Sequence, residues 1–195
     1  MSLLEAIATL LGVACVALAA MRSVWTFPTA IGSVGLLAIV VWDARLYSDA
    51  LLQLFFVAAN LYGWRQWVVS RERAGDVVVE RLSTAGRLWW TAGTAVVALG
   101  WGAIMDGLTD ASYPWADAAI AAASVAAQLL MARRKLENWP VWVAVDIASV
   151  PLYLAKGLYL LSVLYLLYLA LAIWGWLGWR AALLRPVPHA EGAIA

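Results

Sequence analysis

The strongest constraint on this chain is an internal repeat. The segment from Leu3 to Trp67 lines up with Trp115 to Trp179, without a gap, at a constant offset of 112 positions. Pro28 falls on Pro140, Arg22 on Arg134, and Leu46-Tyr47 on Leu158-Tyr159. The run Tyr62-Gly63-Trp64-Arg65-Gln66-Trp67 falls on Trp174-Gly175-Trp176-Leu177-Gly178-Trp179. Apolar residues coincide easily in an apolar chain, but proline, arginine and a G-W-x-x-W pattern sharing one offset do not. Two copies of one structural unit are therefore expected, and that expectation precedes any reading of single elements.

Composition names the solvent. With 65% hydrophobic residues, 13% charged residues and 13 tryptophans in 195 positions, there is too little charge to coat a water-soluble domain of this size. An all-α integral membrane protein follows. Apolar stretches near the length needed to cross ~30 Å of hydrocarbon fall at 3–21, 28–42, 48–69, 88–105, 115–132, 139–156 and 157–179. The first is read as a helix rather than a cleaved signal, because Glu5 stands where a signal carries basic residues and Arg22 follows the apolar run.

Seven crossings sort the basic residues into two groups. Arg22, Arg65, Arg71, Arg73, Arg81, Arg87, Arg133, Arg134, Lys135, Arg180 and Arg185 share the face of the carboxyl terminus, against Arg45 and Lys156 on the other. The positive-inside rule then places the carboxyl terminus in the cytoplasm and the amino terminus outside. Asp43, Asp49, Asp106 and Asp110 fall in the outer loops. A three-helix unit copied directly would be inverted, so an extra crossing, the helix at 88–105, must restore parallel orientation. The expected fold is two parallel three-helix bundles joined by a linker helix (3+1+3). It divides into a first repeat over 1–70, a cytoplasmic connector and linker helix over 71–110, a second repeat over 111–180, and a cytoplasmic tail over 181–195. Parallel repeats of this kind are a recurrent transporter design with the substrate near the midplane.

Where the repeats supply a shared scaffold, polar residues that break the symmetry are the better candidates for chemistry. Asp146 stands opposite Val34, Asn60 opposite Ala172 and Gln53 opposite Tyr165. A carboxylate at a helix centre costs about 2.5–3.5 kcal/mol on insertion scales, so each should face a polar cavity. Helical spacing collects Gln53, Phe56, Asn60, Trp64 and Trp67 on one face, and Trp139, Trp142, Asp146, Ser149, Tyr153 and Lys156 on another. Rings together with hydrogen-bonding groups suit a planar, partly polar heterocycle, and a cation gains more from the ring faces. Each residue also has a structural reading. Trp64, Trp67, Trp176 and Trp179 suit anchoring or packing at helix ends; Gly63 and Gly175 suit close helix contact. Pro28 and Pro140 start helices, Asn138 suits a cap, Pro151 a kink, and Tyr47 and Tyr159 an interfacial belt.

At Gln53-x-x-Phe56-x-x-x-Asn60-x-Tyr62-Gly63-Trp64-x-x-Trp67, and at Glu137-Asn138-Trp139-x-x-Trp142-x-x-x-Asp146 continuing through Leu152-Tyr153 and Lys156-Gly157-Leu158, the chain resembles the PnuC family of vitamin transporters. The resemblance covers most of residues 28–180 and implies facilitated diffusion of nicotinamide riboside, with relatives that carry thiamine or riboflavin, on the fold of SWEET sugar transporters. It further implies a homotrimer and uptake drawn by a cytoplasmic vitamin kinase rather than by ATP at the transporter. The substrate path is expected to use Gln53, Phe56, Asn60, Trp64, Asn138, Trp142, Asp146, Tyr153, Tyr165 and Tyr168.

Other classes fit less well. There is no G-x-x-x-x-G-K-[ST] loop for nucleotide phosphates. Cys15 and His189 are single, so neither a disulfide framework nor a metal cluster is expected, and no cofactor or nucleic-acid partner. A retinal protein needs a lysine deep in its last helix, yet Lys135 and Lys156 lie near membrane edges. No reactive cluster suggests an enzyme. A sugar carrier on the same scaffold would also stack rings on tryptophan, and only the two motifs argue against it.

Overall fold

The computed structural model describes residues 3–43, 47–109 and 112–184. Arg45, Asp110, Arg185 and His189 lie outside the described residues, as do the tail beyond 184 and the side chains of Asp43, Tyr47 and Asp49. Among the described residues the fold has seven helices: α1 (Leu3–Ala20), α2 (Thr26–Asp43), α3 (Tyr47–Ala74), α4 (Thr84–Leu108), α5 (Pro114–Ala132), α6 (Asn138–Ala155) and α7 (Tyr159–Leu183).

These bounds follow the apolar stretches, and the departures have one cause. Helix α3 runs past residue 69 through Arg71-Glu72-Arg73, α4 begins at Thr84 rather than 88, and α7 extends past 179 through Arg180. Each of these turns carries at least one arginine, which lowers its hydropathy although the backbone bonds continue. Ser83 starts α4 by accepting the Gly86 N–H at 3.1 Å. At the end of α6, Gly157 adopts φ +72° and the Leu158 N–H reaches back to the Tyr153 carbonyl at 2.8 Å. This left-handed cap turns the chain into α7. Helix α6 itself continues across Pro151, where the ring leaves the Ile147 carbonyl without its usual helical donor. The Ser162 hydroxyl ties α7 to α6 there by donating to the Val150 carbonyl at 3.1 Å.

Helices α1, α4, α5 and α7 are long and apolar enough to cross a bilayer on composition alone, and α2 holds a shorter apolar stretch. Helices α3 and α6 fall below that standard because they carry the polar stripes. The protein is a multi-pass membrane protein of the 3+1+3 kind. Helices α1, α2 and α3 pack in sequence, as do α5, α6 and α7. The bundles meet twice, where α3 packs on α5 and α7 packs on α1. The repeat offset maps one junction onto the other. Among the described residues, helix α4 packs on α5 and on no other helix.

A strap between α3 and α4 closes one end of the molecule, hereafter the connector end. It is held by two arginines at equivalent repeat positions. Arg22 and Arg134 both adopt φ 58°, each just past the end of the first helix of its repeat. The following N–H groups reach back five residues, Ser23 to the Leu18 carbonyl and Lys135 to the Leu130 carbonyl, both at 2.9 Å. Glycine is the residue that adopts this cap without strain, and both repeats use arginine instead because the guanidinium is needed. Arg22 pairs with Asp76 at 2.8 Å; Arg134 pairs with Glu80 and donates to the Gln66 and Val78 carbonyls. Glu80 also bonds Lys135, and these cations hold its carboxyl below the usual range against the opposing cost of its burial. Reciprocal backbone bonds fix the strap further: Glu80 N–H to the Arg134 carbonyl and Leu136 N–H to the Glu80 carbonyl. Glu137 accepts from Arg87 and from the Leu82 N–H. Val77 and Val79 of the strap are buried in the core.

Candidate functional site

The core at the connector end is aromatic and obeys the repeat. Trp67 and Trp179 are both 0% exposed. The indole N–H of Trp67, in the first repeat, donates to the Met131 carbonyl of the second at 3.0 Å. That of Trp179, in the second repeat, donates to the Ala19 carbonyl of the first at 3.0 Å. Ala19 and Met131 are themselves related by the repeat offset. Phe27 meets Trp67 edge-on at 5.0 Å, its counterpart Trp139 meets Trp179 edge-on at 5.6 Å, and Trp67 and Trp179 touch across the centre at 5.6 Å. Two exchanged hydrogen bonds and four rings therefore seal this end.

The glycines of the G-W-x-x-W pattern make room for those rings. A Cβ on Gly63 would come within 2.5 Å of the Phe27 ring, and one on Gly175 within 2.5 Å of Trp139. They admit an aromatic side chain rather than merely a neighbouring helix; Gly63 also lies close to Ala132 of α5. Trp67 and Trp179, read from sequence as anchoring or packing residues, are packing residues. Trp64 is exposed, and Trp176 is half-buried beneath the Arg180 guanidinium.

The polar candidates stand on the far side of this plug. Asn60 lies seven residues before Trp67 on α3, and Asp146 seven residues after Trp139 on α6. At 1.5 Å per residue both sit roughly 10 Å from the aromatic layer. Asp146 is 2% exposed, yet its carboxylate makes no hydrogen bond among the described residues. Neither oxygen is among the fully sealed, unpartnered atoms, so the carboxylate keeps a slight exposure. Lys156, ten residues further along at the end of α6, binds Asp117 at 2.7 Å.

The other expected residues divide. Tyr153, Tyr165 and Tyr168 form one aromatic series on α6 and α7, with rings 5.0 and 5.8 Å apart. The Tyr168 hydroxyl crosses to α1, where a Cβ on Gly12 would meet it at 2.8 Å. Trp142 packs half-buried against the plug. Gln53 and Phe56 are half-buried on α3, with Phe56 beside Phe55. Asn138 sits apart, at the connector end, eight residues before Asp146 on α6. It does not cap its helix: its amide donates to the Lys135 carbonyl at 2.7 Å, and its oxygen is buried without a partner.

Two further buried polar residues belong to this region, and one of them was absent from the sequence reading. Gln128 of α5 is buried and donates to the Asn60 oxygen at 3.1 Å. Ser149, one turn from Asp146 on the same face, is 0% exposed with an unpartnered hydroxyl. Ser149 was in the α6 stripe, but Gln128 was lost in an alanine-rich run whose only signal is that it stands opposite Val16 at the repeat offset. No group of metal-ligating side chains occurs among the described residues.

Residues 2–181 match the family model described as nicotinamide mononucleotide transporter. The chain belongs to that family. It is 28% identical over 200 residues to the nicotinamide riboside transporter PnuC of Escherichia coli (strain K12), covering 90% of this chain and 84% of that one. It is 31% identical over 198 residues to the riboflavin/roseoflavin transporter RibM of Streptomyces davaonensis, covering 98% and 91%. A crystal structure of the vitamin B3 transporter PnuC superimposes with a TM-score of 0.74 at 23% identity, over 92% of this chain and 81% of that one, which shows the fold. Family and fold are those of membrane transporters and not of enzymes.

Proposed function

We propose that the protein facilitates uptake of nicotinamide riboside across the plasma membrane by uniport with alternating access. The observation that supports this most is Asp146, a buried carboxylate without a partner among the described residues, about 10 Å from a sealed aromatic layer. A carboxylate in a low-dielectric setting is costly to leave unpaired, and a cationic ring stacked among aromatic side chains offsets that cost. The path uses Gln53, Phe56, Asn60, Trp64, Trp142, Asp146, Tyr153, Tyr165 and Tyr168, with Asn138 at its inner mouth. Segments 1–70 and 111–180 rock against each other, linked by 71–110, and the tail follows from 181. The segregation of basic residues supports an orientation with the connector end and carboxyl terminus in the cytoplasm and the amino terminus outside. The aromatic plug is then the inner gate, closed in the described conformation. Phosphorylation by a cytoplasmic vitamin kinase traps the cargo, the transporter needs no cofactor, and three copies assemble as a homotrimer.

A second reading, riboflavin, has its own support in the RibM relative, which matches along nearly the whole chain; thiamine and a sugar are further alternatives. Purified protein in liposomes separates them. Nicotinamide riboside is expected to be taken up without an imposed ion gradient, and an inside-negative potential to add about fiftyfold accumulation per 100 mV for a single positive charge. Uptake of riboflavin in preference, indifferent to potential, would replace the first reading with the second.

A further inference from the structure

Resting on that functional reading, we infer that Gln128 is a specificity-determining residue, held in one orientation to accept a hydrogen bond from an amide-type N–H on the transported ring. The Asn60 side-chain carbonyl can only accept. Asn60 donates its amide to the Phe56 backbone oxygen at 2.8 Å, which fixes which end of the Asn60 side chain is nitrogen. The Asn60 oxygen therefore faces the other way, and only a donor can meet it. Gln128 meets it with its own amide nitrogen at 3.1 Å. Each partner thus settles the next, and the usual ambiguity between amide oxygen and nitrogen is removed by the network.

What remains is the Gln128 carbonyl oxygen. It has no hydrogen bond among the described residues and is not fully enclosed, so it retains a free accepting position on a buried side chain. The plug lies close by, since Met131, three residues further along α5, is the acceptor for Trp67. Gln128 and Asn60 therefore flank the path on the α3/α5 junction, facing the gate.

The second junction shows that this pair is not needed for packing. At the repeat offset Asn60 becomes Ala172 and Gln128 becomes Val16, where α7 meets α1. One junction is built from apolar residues and the other from two amides, on the same backbone arrangement. Burying two amides at a helix contact costs desolvation that alanine and valine avoid, and the asymmetry fits a group kept for recognition. The nicotinamide carboxamide and the flavin imide both carry an N–H beside a carbonyl, so the assignment holds for either vitamin.

The test copies the apolar junction. Gln128→Val and the double variant Asn60→Ala/Gln128→Val are prepared in detergent, and binding of nicotinamide riboside and of riboflavin is measured beside the wild type. Both variants are expected to remain folded, with cooperative thermal melting, and to bind about tenfold or more weakly, the usual loss when a ligand N–H is left without its acceptor. Nicotinic acid riboside, which lacks the amide N–H, should bind wild type and Gln128→Val alike. Unchanged affinity for the amide ligand in Gln128→Val, or an equal loss for the amide and acid ribosides, would overturn the assignment while leaving the transport reading intact. Failure of the wild type to bind either vitamin would overturn both.

Discussion

The two repeats agree in what holds them together and differ in what they present to the space between them. The first helix of each is followed by an arginine at φ 58°, the last helix of each carries a buried tryptophan bonded across to the other, and each uses a glycine to seat a ring. Away from the plug the agreement stops. The second repeat carries Asp146, Ser149, Tyr153, Tyr165, Tyr168 and Gln128, while the first contributes Asn60 with Gln53 and Phe56. Under the proposed rocking mechanism, structure that moves as paired units is kept in duplicate. Chemistry that must recognise an asymmetric molecule is not.

Substitutions at paired positions test the shared part first. Trp67→Ala and Trp179→Ala should each cost about 3–5 kcal/mol, the range for emptying a buried tryptophan site, read as a large fall in melting temperature in detergent. A neutral result at one and not the other would break the equivalence of the two junctions. Gly63→Ala and Gly175→Ala come next, at about 1–3 kcal/mol for forcing a methyl against a fixed ring. Comparable losses in thermal stability would sharpen the pairing, whereas tolerance of either would mean that its ring moves freely.

The unshared part calls for an exchange. Asp146→Val installs the first repeat's residue, Val34, in the second. It should leave melting nearly unchanged while weakening vitamin binding by about tenfold or more, a cost near 1.4 kcal/mol. Normal transport by this variant would remove Asp146 from the path. Trp67→Phe and Trp179→Phe keep the rings but delete one indole donor each, for about 1 kcal/mol apiece, and should match closely by chemical denaturation.

The smallest effect is at the strap. Glu80 has a depressed carboxyl pKa in the fold, so its clasp on Arg134 and Lys135 is complete above its ordinary value and is lost as pH falls through the lower folded value. Melting temperature should decline on acidification, and Glu80→Gln should flatten part of that decline. Because Glu80 is partly open to water the change is small; identical pH profiles for the two proteins would assign the acid sensitivity elsewhere.

Much of this was legible because apolarity and spacing are local. The spans, the lone crossing of α4 and the faces bearing Asn60 and Asp146 follow from runs of residues and helical periodicity. What escaped depends on partners distant in sequence. Nothing around Trp179 says that its indole reaches Ala19, 160 residues earlier, and nothing around Arg22 says that a strap at Asp76 will pass beneath it. Asn138 suited a cap by its position, but its amide turns back to Lys135. Gln128 is the instructive miss, since comparing it with Val16 would have singled it out by the reasoning already applied to Asn60.

Trp139 differs from its counterpart Phe27 by carrying an indole N–H, and that donor is buried with no acceptor among the described residues. Water entering the layer from either side would find a ready acceptor-seeking group there and none on the opposite wall. Wetting should therefore begin at α6, and the first repeat should stay dry longer. If the halves separate as proposed, they would then part as a zip from one edge, giving the proposed gate an order of events that its matched framework alone does not impose.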